Sequence, residues 1–246
     1  MHFSERIAIV LVEPQNPGNV GMVCRAMKNF GIRDLRLVNP CPLDHPEALK
    51  FAVSAKEMLT TARIFPTLAE AIADSPLSVA TTRRHGKYRQ EIFAPDEIVR
   101  MIGEKLAGNR AALVFGREDS GLTTDEVALC RWQATIPTDD AYGSLNLAQS
   151  VLLFCYVLRQ GLVVSEESAG KRELVSTAGL EPFYGQLEQI LLRIGFLKPE
   201  NPAHLMRSFR RIFARAELDS REVAILRGML SQIDWAASTF MGKKGK

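Results

Sequence analysis

The sequence has no long apolar run, no paired cysteines and no internal repeat. Its apolar stretch IAIVLV has six residues, far fewer than the ~18 that a membrane-spanning helix needs. Residues 1–6, ahead of it, lack the pattern of a signal peptide. The four cysteines are scattered without a CxxC pair, which argues against a zinc site or a disulfide framework. We therefore expect a cytoplasmic protein with no metal and no membrane segment.

The sequence does contain enough apolar residues for a sizeable core. Of 246 residues, 46% are apolar, which allows one large domain, or one domain with a small appendage. The charge is uneven, because Lys171 and the residues after it include 13 Lys and Arg against 8 Asp and Glu, a net of +5, whereas the residues before carry 18 and 20, a net of −2. A basic excess is typical of a segment that meets phosphates, but an ordinary solvated surface has the same composition.

The first two thirds of the chain alternate between strand and helix patterns. The segments 6–13 and 111–116 are almost continuously apolar, which is typical of buried parallel strands. Further strands are predicted at 35–40, 78–84 and 132–138, and helices at 18–30, 46–61, 68–74, 95–107, 123–130 and 144–161. This alternation predicts an α/β domain with a doubly wound parallel sheet over residues 1–160.

Residues 161–180 lose this periodicity and gain Ser, Gly and charge, which predicts a linker. Beyond it, residues 181–246 show three stretches with helical spacing and predict a small helical bundle. We expect its second helix to bury Leu205, Phe209, Ile212 and Phe213, and its third helix to bury Val223, Leu226, Leu230, Ile233, Ala237 and Phe240. Four arginines should lie away from the apolar face of the second helix, namely Arg207, Arg210, Arg211 and Arg215.

The segment IPTDDAYGSLNLAQSV (136–151) combines a strand end, a polar loop and the start of a helix. Ser144 is a good N-cap type for that helix, and Asn146 would lie in the first turn, where backbone N–H groups are free. A polar pair at a strand-to-helix turn is a favoured place to hold a small ligand. The simpler interpretation is a helix cap followed by a solvated turn residue.

Three ordered segments resemble the signature motifs of the SPOUT methyltransferases, in the branch that methylates ribose 2′-oxygens. They are NVGMVCRAMKNFGI (19–32), LVFGREDSGL (113–122) and SLNLAQSV (144–151). With the C-terminal region, the chain looks most like the TrmJ type of tRNA methyltransferase. The resemblance implies a parallel-sheet domain with a C-terminal trefoil knot, which periodicity cannot predict because knots are rare. It also implies a homodimer, for which the apolar last helix of the domain is a candidate face.

The resemblance also implies a catalytic set. Arg25 would contact the substrate phosphate and act on the 2′-hydroxyl; because the pKa of arginine exceeds ~12, a phosphate clamp is physically easier than a general base. Asn19 would fix Arg25 or the ribose, and Glu118 would anchor the other motif residues, together with Ser144 and Asn146. Without the motifs, Arg25 would be a surface ion pair, Asn19 a helix cap and Glu118 a carboxylate beside a helix N-terminus.

The cofactor implied by the resemblance is S-adenosylmethionine (SAM), bound at the ends of three strands. The expected residues are Thr81, Thr82, Arg83, Gly116, Ile136, Gly143, Ser144 and Leu145. The chain lacks the GxGxxG motif, which disfavours a Rossmann-type site, and Arg83 replaces a small residue of the family pattern Thr-Ser-Ala-Arg. The basic cluster with Arg84, Lys87 and Arg89 is suited to an RNA backbone with one stacked base, and we expect Arg207, Arg210, Arg211 and Arg215 to bind RNA as well.

We therefore expect a SAM-dependent tRNA ribose 2′-O-methyltransferase, whose target by resemblance is cytidine or uridine 32 in the anticodon loop. Two alternatives stay open. One is a relative that acts on ribosomal RNA or on another tRNA position, and the other is a catalytically silent RNA-binding protein with the same fold.

Overall fold

The computed structural model of the protein describes residues 3–83, 91–139, 143–163 and 173–239. The chain divides into two compact units, Met1–Glu173 and Leu174–Lys246. The first unit contains a β-sheet with its helices, and the described residues of the second form three helices.

Seven parallel strands form the sheet of the first unit, in the order β3-β2-β1-β6-β4-β7-β5. Their bounds are β1 Ile7–Val12, β2 Asp34–Val38, β3 Arg63–Phe65, β4 Leu77–Thr81, β5 Ile92–Phe93, β6 Ala111–Phe115 and β7 Trp132–Ala134. Every residue of β1 and β6 is buried, as a strand covered on both faces requires. The predicted parallel α/β domain is therefore confirmed, with two short edge strands, β3 and β5, in addition to the predicted ones.

The helices of the first unit are α1 Pro17–Asn29, α2 Pro46–Ala52, α3 Lys56–Thr61, α4 Leu68–Ala71, α5 Pro95–Lys105, α6 Thr124–Leu129 and α7 Leu147–Val163. Helix α1 packs against both α2 and α7. The single helix predicted over 46–61 is divided, because a 3-10 turn at Val53–Ala55 separates α2 from α3. Helix α6 begins with a capping box in which Thr123 and Glu126 bond to each other's backbone N–H groups.

A buried arginine links β2 to the turn between α4 and β4. The side chain of Arg36 is 1% exposed, and its guanidinium pairs with Asp34 at 2.8 Å and Asp74 at 2.5 Å. Asp34 also pairs with Arg63 and Arg110. Burial acts to raise the pKa of Asp34, but hydrogen bonds from Arg36 and Arg63 outweigh it and hold that pKa below its usual value. Asp34 therefore stays charged at neutral pH and forms ion pairs with three arginines.

The second unit is built from α8 Thr177–Arg193, α9 Pro202–Ala216 and α10 Ser220–Thr239. Its core includes Phe183, Tyr184, Leu187, Ile190, Met206 and Val223. Since α7 runs to Val163 and α8 begins at Thr177, helices occupy both ends of the segment 161–180.

Helix α9 packs on the core with only part of its predicted stripe. Leu205 and Ile212 are 38% and 49% exposed, so their predicted burial is wrong. Phe209 and Phe213 contact the core as predicted, together with Met206; the three are spaced i, i+3 and i+7 and so share one side of the helix. In α10, Val223 and Leu230 are buried but Ile233 is 37% exposed, and Phe240 lies outside the described residues.

None of the helices in the described ranges combines the length and the apolar character of a membrane span. Nor do those ranges bring together three or more His, Cys, Asp and Glu side chains in a way that would hold a metal ion.

Candidate active site

Side chains from three separate segments are joined by hydrogen bonds at the carboxyl edge of the sheet. Glu118 follows β6, and its Oε1 accepts from Asn19 Nδ2 at 3.0 Å. The same carboxylate accepts from the backbone N–H groups of Gln15, at 2.9 Å, and Asn16, at 3.1 Å. Asn19 Oδ1 accepts in turn from Asn146 Nδ2 at 2.9 Å. Residues that are about a hundred positions apart therefore form one connected network, Glu118–Asn19–Asn146.

Asn146 also caps α7. Its Oδ1 accepts from the backbone N–H of Ala148 at 2.8 Å, and the helix begins at Leu147. The prediction that Ser144 provides the cap is therefore wrong. Asparagine caps a helix as well as serine does, and its amide nitrogen remains available to donate to Asn19.

Asn19 is not the cap of α1 either. That role belongs to Asn16, whose side chain accepts from the backbone N–H of Asn19 at 3.2 Å. Asn19 is 6% exposed, and both ends of its amide are engaged by the network. Its side chain is thus held in one orientation between Glu118 and Asn146.

Arg25 lies on the exposed side of α1, six residues after Asn19. Within the described part of the chain, its guanidinium makes no hydrogen bond or ion pair, so the surface ion pair considered above is not seen there. The neighbouring thiol of Cys24 is buried, and burial raises its pKa to about 12, which leaves it protonated and unreactive at neutral pH.

A cavity opens at the carboxyl ends of β4, β6 and β7, beside the first turns of α7. It contains about 680 Å³ of empty space, its mouth included. Because the three strands are parallel and adjacent in the sheet, their ends meet at this edge. All the residues assigned to the cofactor by resemblance line the cavity: Thr81, Thr82, Arg83, Gly116, Ile136, Gly143, Ser144 and Leu145. Glu118 lines it too.

The apolar wall of this cavity includes Phe154, which the three motifs did not identify. Phe115 and Phe154 both line it and pack edge to face with their ring centroids 5.6 Å apart. Phe154 is seven residues after Leu147 on the same side of α7, so helical spacing alone could have placed it there. Thr138 was missed as well; its Oγ1 donates to the carbonyl oxygen of Gly143 at 3.3 Å.

Three glycines at the cavity are required by the local backbone of their loops. A Cβ on Gly116 would overlap the backbone of Gly121 and Leu122, because Gly121 N donates to Arg117 O at 2.9 Å and closes a tight turn. Gly121 itself has a φ of 71°, which favours glycine. A Cβ on Gly143 would lie 2.7 Å from Thr138 Oγ1. Any larger side chain must therefore change the cavity wall.

Comparisons with known proteins agree with this arrangement. Residues 6–156 match the SpoU rRNA Methylase family, and residues 178–242 match the C-terminal domain of the tRNA methyltransferase TrmJ. The chain belongs to the SpoU methylase family, in its TrmJ branch.

Individual TrmJ proteins are similar over nearly the whole chain. The tRNA (cytidine/uridine/adenosine-2′-O-)-methyltransferase TrmJ of Pseudomonas aeruginosa is 38% identical over 240 residues, which cover 93% of each protein. The tRNA (cytidine/uridine-2′-O-)-methyltransferase TrmJ of Salmonella typhimurium is 38% identical over 94% of this chain and 97% of its own. The crystal structure of TrmJ from Z. mobilis matches with a TM-score of 0.81 at 35% identity, covering 92% of this chain and 98% of that one.

In this TrmJ-type chain, Arg117 stabilises the loop that follows β6 and lines the cavity. Its guanidinium pairs with Glu13 at 2.8 Å and with Glu126 at 3.0 Å. The hydrogen bond from Arg117 lowers the pKa of Glu13. Burial acts to raise the pKa of Glu126, but hydrogen bonds from Arg117 and the Thr123 backbone keep it below its usual value. Both carboxylates therefore stay charged at neutral pH and hold the loop in place.

The arginines predicted to bind RNA have different surroundings. Arg84, Lys87 and Arg89 lie outside the described residues. Arg210 does not point away from the apolar face, because it makes two bonds to Glu181, at 2.6 and 2.7 Å, and its guanidinium stacks on the core ring of Tyr184 at 4.3 Å. Arg207 and Arg211 are partly buried, whereas Arg215 is exposed.

Proposed function

We propose that this protein transfers a methyl group from SAM to the 2′-oxygen of a ribose in tRNA. The observation that carries the proposal is the network Glu118–Asn19–Asn146, which joins all three motifs beside a cavity lined by every residue expected to bind the cofactor. The names of the TrmJ relatives, at 38% identity over most of the chain, agree with this activity.

The residues of the cavity fit SAM. Ile136, Leu145 and Phe154 supply apolar surface for a purine ring, and the strand ends around them present backbone groups that can bond to its edge. Thr81 uses its hydroxyl to donate to the carbonyl oxygen of Val114 at 2.9 Å, so we assign it a role in shaping the strand end. When bound, SAM supplies an activated methyl group on its sulfonium.

The chain's own residues then position the acceptor. Arg25 donates hydrogen bonds to a phosphate of the RNA, which holds the ribose in line for displacement. A guanidinium with a pKa above ~12 is a poor proton acceptor, so Arg25 acts as a clamp. Asn19, whose amide is bonded at both its oxygen and its nitrogen, holds the start of α1 against the loop that carries Glu118.

The proposal extends to the target and the partners. We infer that the substrate is cytidine or uridine 32 of the anticodon loop, gripped by the basic segment 83–89 and by the second unit, in the cytoplasm. A homodimer is supported by Leu152, Leu153 and Tyr156, which leave 40%, 40% and 46% of their surfaces exposed on the otherwise apolar α7. Membership of the family also supports the trefoil knot.

Mass spectrometry of the nucleosides of tRNA and of ribosomal RNA, each from cells with and without the gene, tests the activity. The proposal predicts that one 2′-O-methylated nucleoside disappears from tRNA when the gene is removed. Its loss from ribosomal RNA instead would favour the first alternative. An unchanged profile, together with no SAM binding in calorimetry, would favour a silent RNA-binding protein.

A further inference from the structure

An exposed aromatic ring lies against the start of α1, next to the catalytic network. Phe51, in α2, leaves 38% of its surface exposed. A Cβ built on Gly18 would lie 3.1 Å from Cδ2 and 3.3 Å from Cε2 of this ring, so Phe51 packs directly on the backbone of Gly18. The next residue, Asn19, is the central member of the network.

The close approach of α2 to α1 fixes the position of this ring. A Cβ on Gly21 would lie 2.9 Å from Ala52 N and would overlap the carbonyl group of Ala48. Immediately after α2, Val53 has a φ of 51°, a conformation that β-branched residues rarely adopt. The side chain of Val53 is 52% exposed, so its own burial does not account for the strain. Such strain is retained where a functional surface needs one backbone path.

The surface beside the ring combines apolar and cationic groups. Gly18, Met22 and Arg25 are spaced i, i+4 and i+7, so they share one side of α1. Met22 is 36% exposed. Seven residues of helix rise ~10 Å, which places the ring and Arg25 at the two ends of a short strip. Lys50 Nζ lies over the ring of Phe51, 5.5 Å from its centroid, at the end of a flexible four-carbon side chain. The strip therefore offers a cation at each end and an apolar, aromatic surface between them.

We propose that Phe51 stacks on an unpaired base of the tRNA loop at or beside the methylated nucleotide, while Arg25 and Lys50 hold the flanking phosphates. Unpaired RNA bases are commonly bound by stacking on aromatic rings, and phosphates by Arg and Lys. A second copy of the chain could make apolar contacts with Phe51, but the two cations around the ring match the phosphates of RNA better than an apolar protein surface. This inference rests on the proposed function and names the side chain that receives the base.

The test uses the full-length protein, S-adenosylhomocysteine and tRNA anticodon stem-loops that carry 2-aminopurine at one loop position at a time. Phe51→Leu keeps apolar packing on Gly18 but removes the π-face, whereas Phe51→Trp keeps it. Ile64→Ala, a change of a 61% exposed residue in β3, is the matched control. Loss of one stacked base should raise KM for tRNA and weaken stem-loop binding by about 5- to 150-fold in Phe51→Leu, with SAM affinity unchanged. Fluorescence quenching at one position should disappear in Phe51→Leu and persist in Phe51→Trp and Ile64→Ala.

Wild-type KM and quenching in Phe51→Leu would overturn the inference. So would dissociation of a dimer in sedimentation without loss of quenching, since the ring would then be part of a protein interface. Quenching does not require methyl transfer, so a failure of the proposed function would appear separately, as binding and quenching without methylated product.

Discussion

Asn146 Nδ2 donates to Asn19 Oδ1 at 2.9 Å, across 127 residues of sequence. Because Asn19 Nδ2 donates to Glu118, neither amide can turn over without losing a bond. These hydrogen bonds therefore join the three motifs into one network, and a change in any of them should affect the same step of methyl transfer.

We expect Asn19→Ala and Asn146→Ala to be non-additive in methyl transfer, with the double variant about as slow as the slower single one, because both remove the same connection. Asn146→Ala should also destabilise the first unit by about 1 kcal/mol, the usual value of a lost helix cap. Asn146→Ser is the control, since serine keeps the cap but cannot donate to Asn19 in the same way. Single-turnover rates and urea unfolding measure both effects. Strictly additive losses of rate would show that the bond has no role in catalysis.

Gly116→Ala should weaken SAM binding more than tenfold, or ~1.4 kcal/mol, because the new Cβ pushes the backbone of Gly121 and Leu122 away from the cavity. The matched control is Gly185→Ala in α8, where an added Cβ meets nothing within 4 Å. Calorimetric titration with SAM gives both affinities. Tight binding by a folded Gly116→Ala protein would place the cofactor elsewhere.

Asp34→Asn should lower the free energy of unfolding at pH 7 by about 3 kcal/mol, since it removes a partner from a buried ion pair. The pKa of Asp34 is lowered in the folded state, so its contribution is complete above the unfolded value of ~3.9 and is lost as the pH falls through the folded value. The difference between the variant and the wild type should therefore shrink below about pH 4. Denaturant titrations at several pH values measure this, with the exposed Glu104→Gln as a control. A difference that does not change with pH would contradict the assignment.

Arg210→Ala and Arg215→Ala should affect different properties of the second unit. Arg210 is bound to Glu181 and stacked on Tyr184, so its loss should lower the thermal stability of that unit. Arg215 is exposed, and its loss should weaken tRNA binding and reduce the salt dependence of affinity by about one phosphate contact. Binding isotherms at several salt concentrations, with melting curves, separate the two effects. If Arg215→Ala binds tRNA like the wild type at every salt concentration, this face does not grip RNA.

The central strands were predictable because strands buried on both faces need continuous apolar sequence, as in β1 and β6. The edge strands β3 and β5 were not, since two or three residues carry too little pattern to distinguish a strand from a loop. Most residues that line the cavity were predicted from the resemblance, because it identifies the motif residues. Phe154 lies outside the residues singled out from the motifs and was missed, although it forms part of the cavity wall.

Predictions were wrong where the residue types were compatible with two different ways of packing. Helical spacing allowed Leu205 and Ile212 to be buried, but the bundle uses the neighbouring stripe that includes Met206. Arginine in a sequence does not reveal whether a carboxylate is opposite it, and only the fold brings Glu181 to Arg210. Ser144 and Asn146 are both good caps, and the choice between them depended on Asn19, far away in the sequence.

The most direct test of the account is methyl transfer from labelled SAM to a tRNA transcript by the purified protein. The comparison includes the same transcript with a 2′-deoxynucleotide at position 32, and the Arg25→Ala variant. The account predicts 2′-O-methylcytidine or 2′-O-methyluridine with the wild-type pair. It predicts no product with the deoxy substrate, and none with Arg25→Ala, which should still bind SAM within a few-fold of wild type. Near-wild-type turnover by Arg25→Ala, or a methyl group recovered on a base, would contradict it.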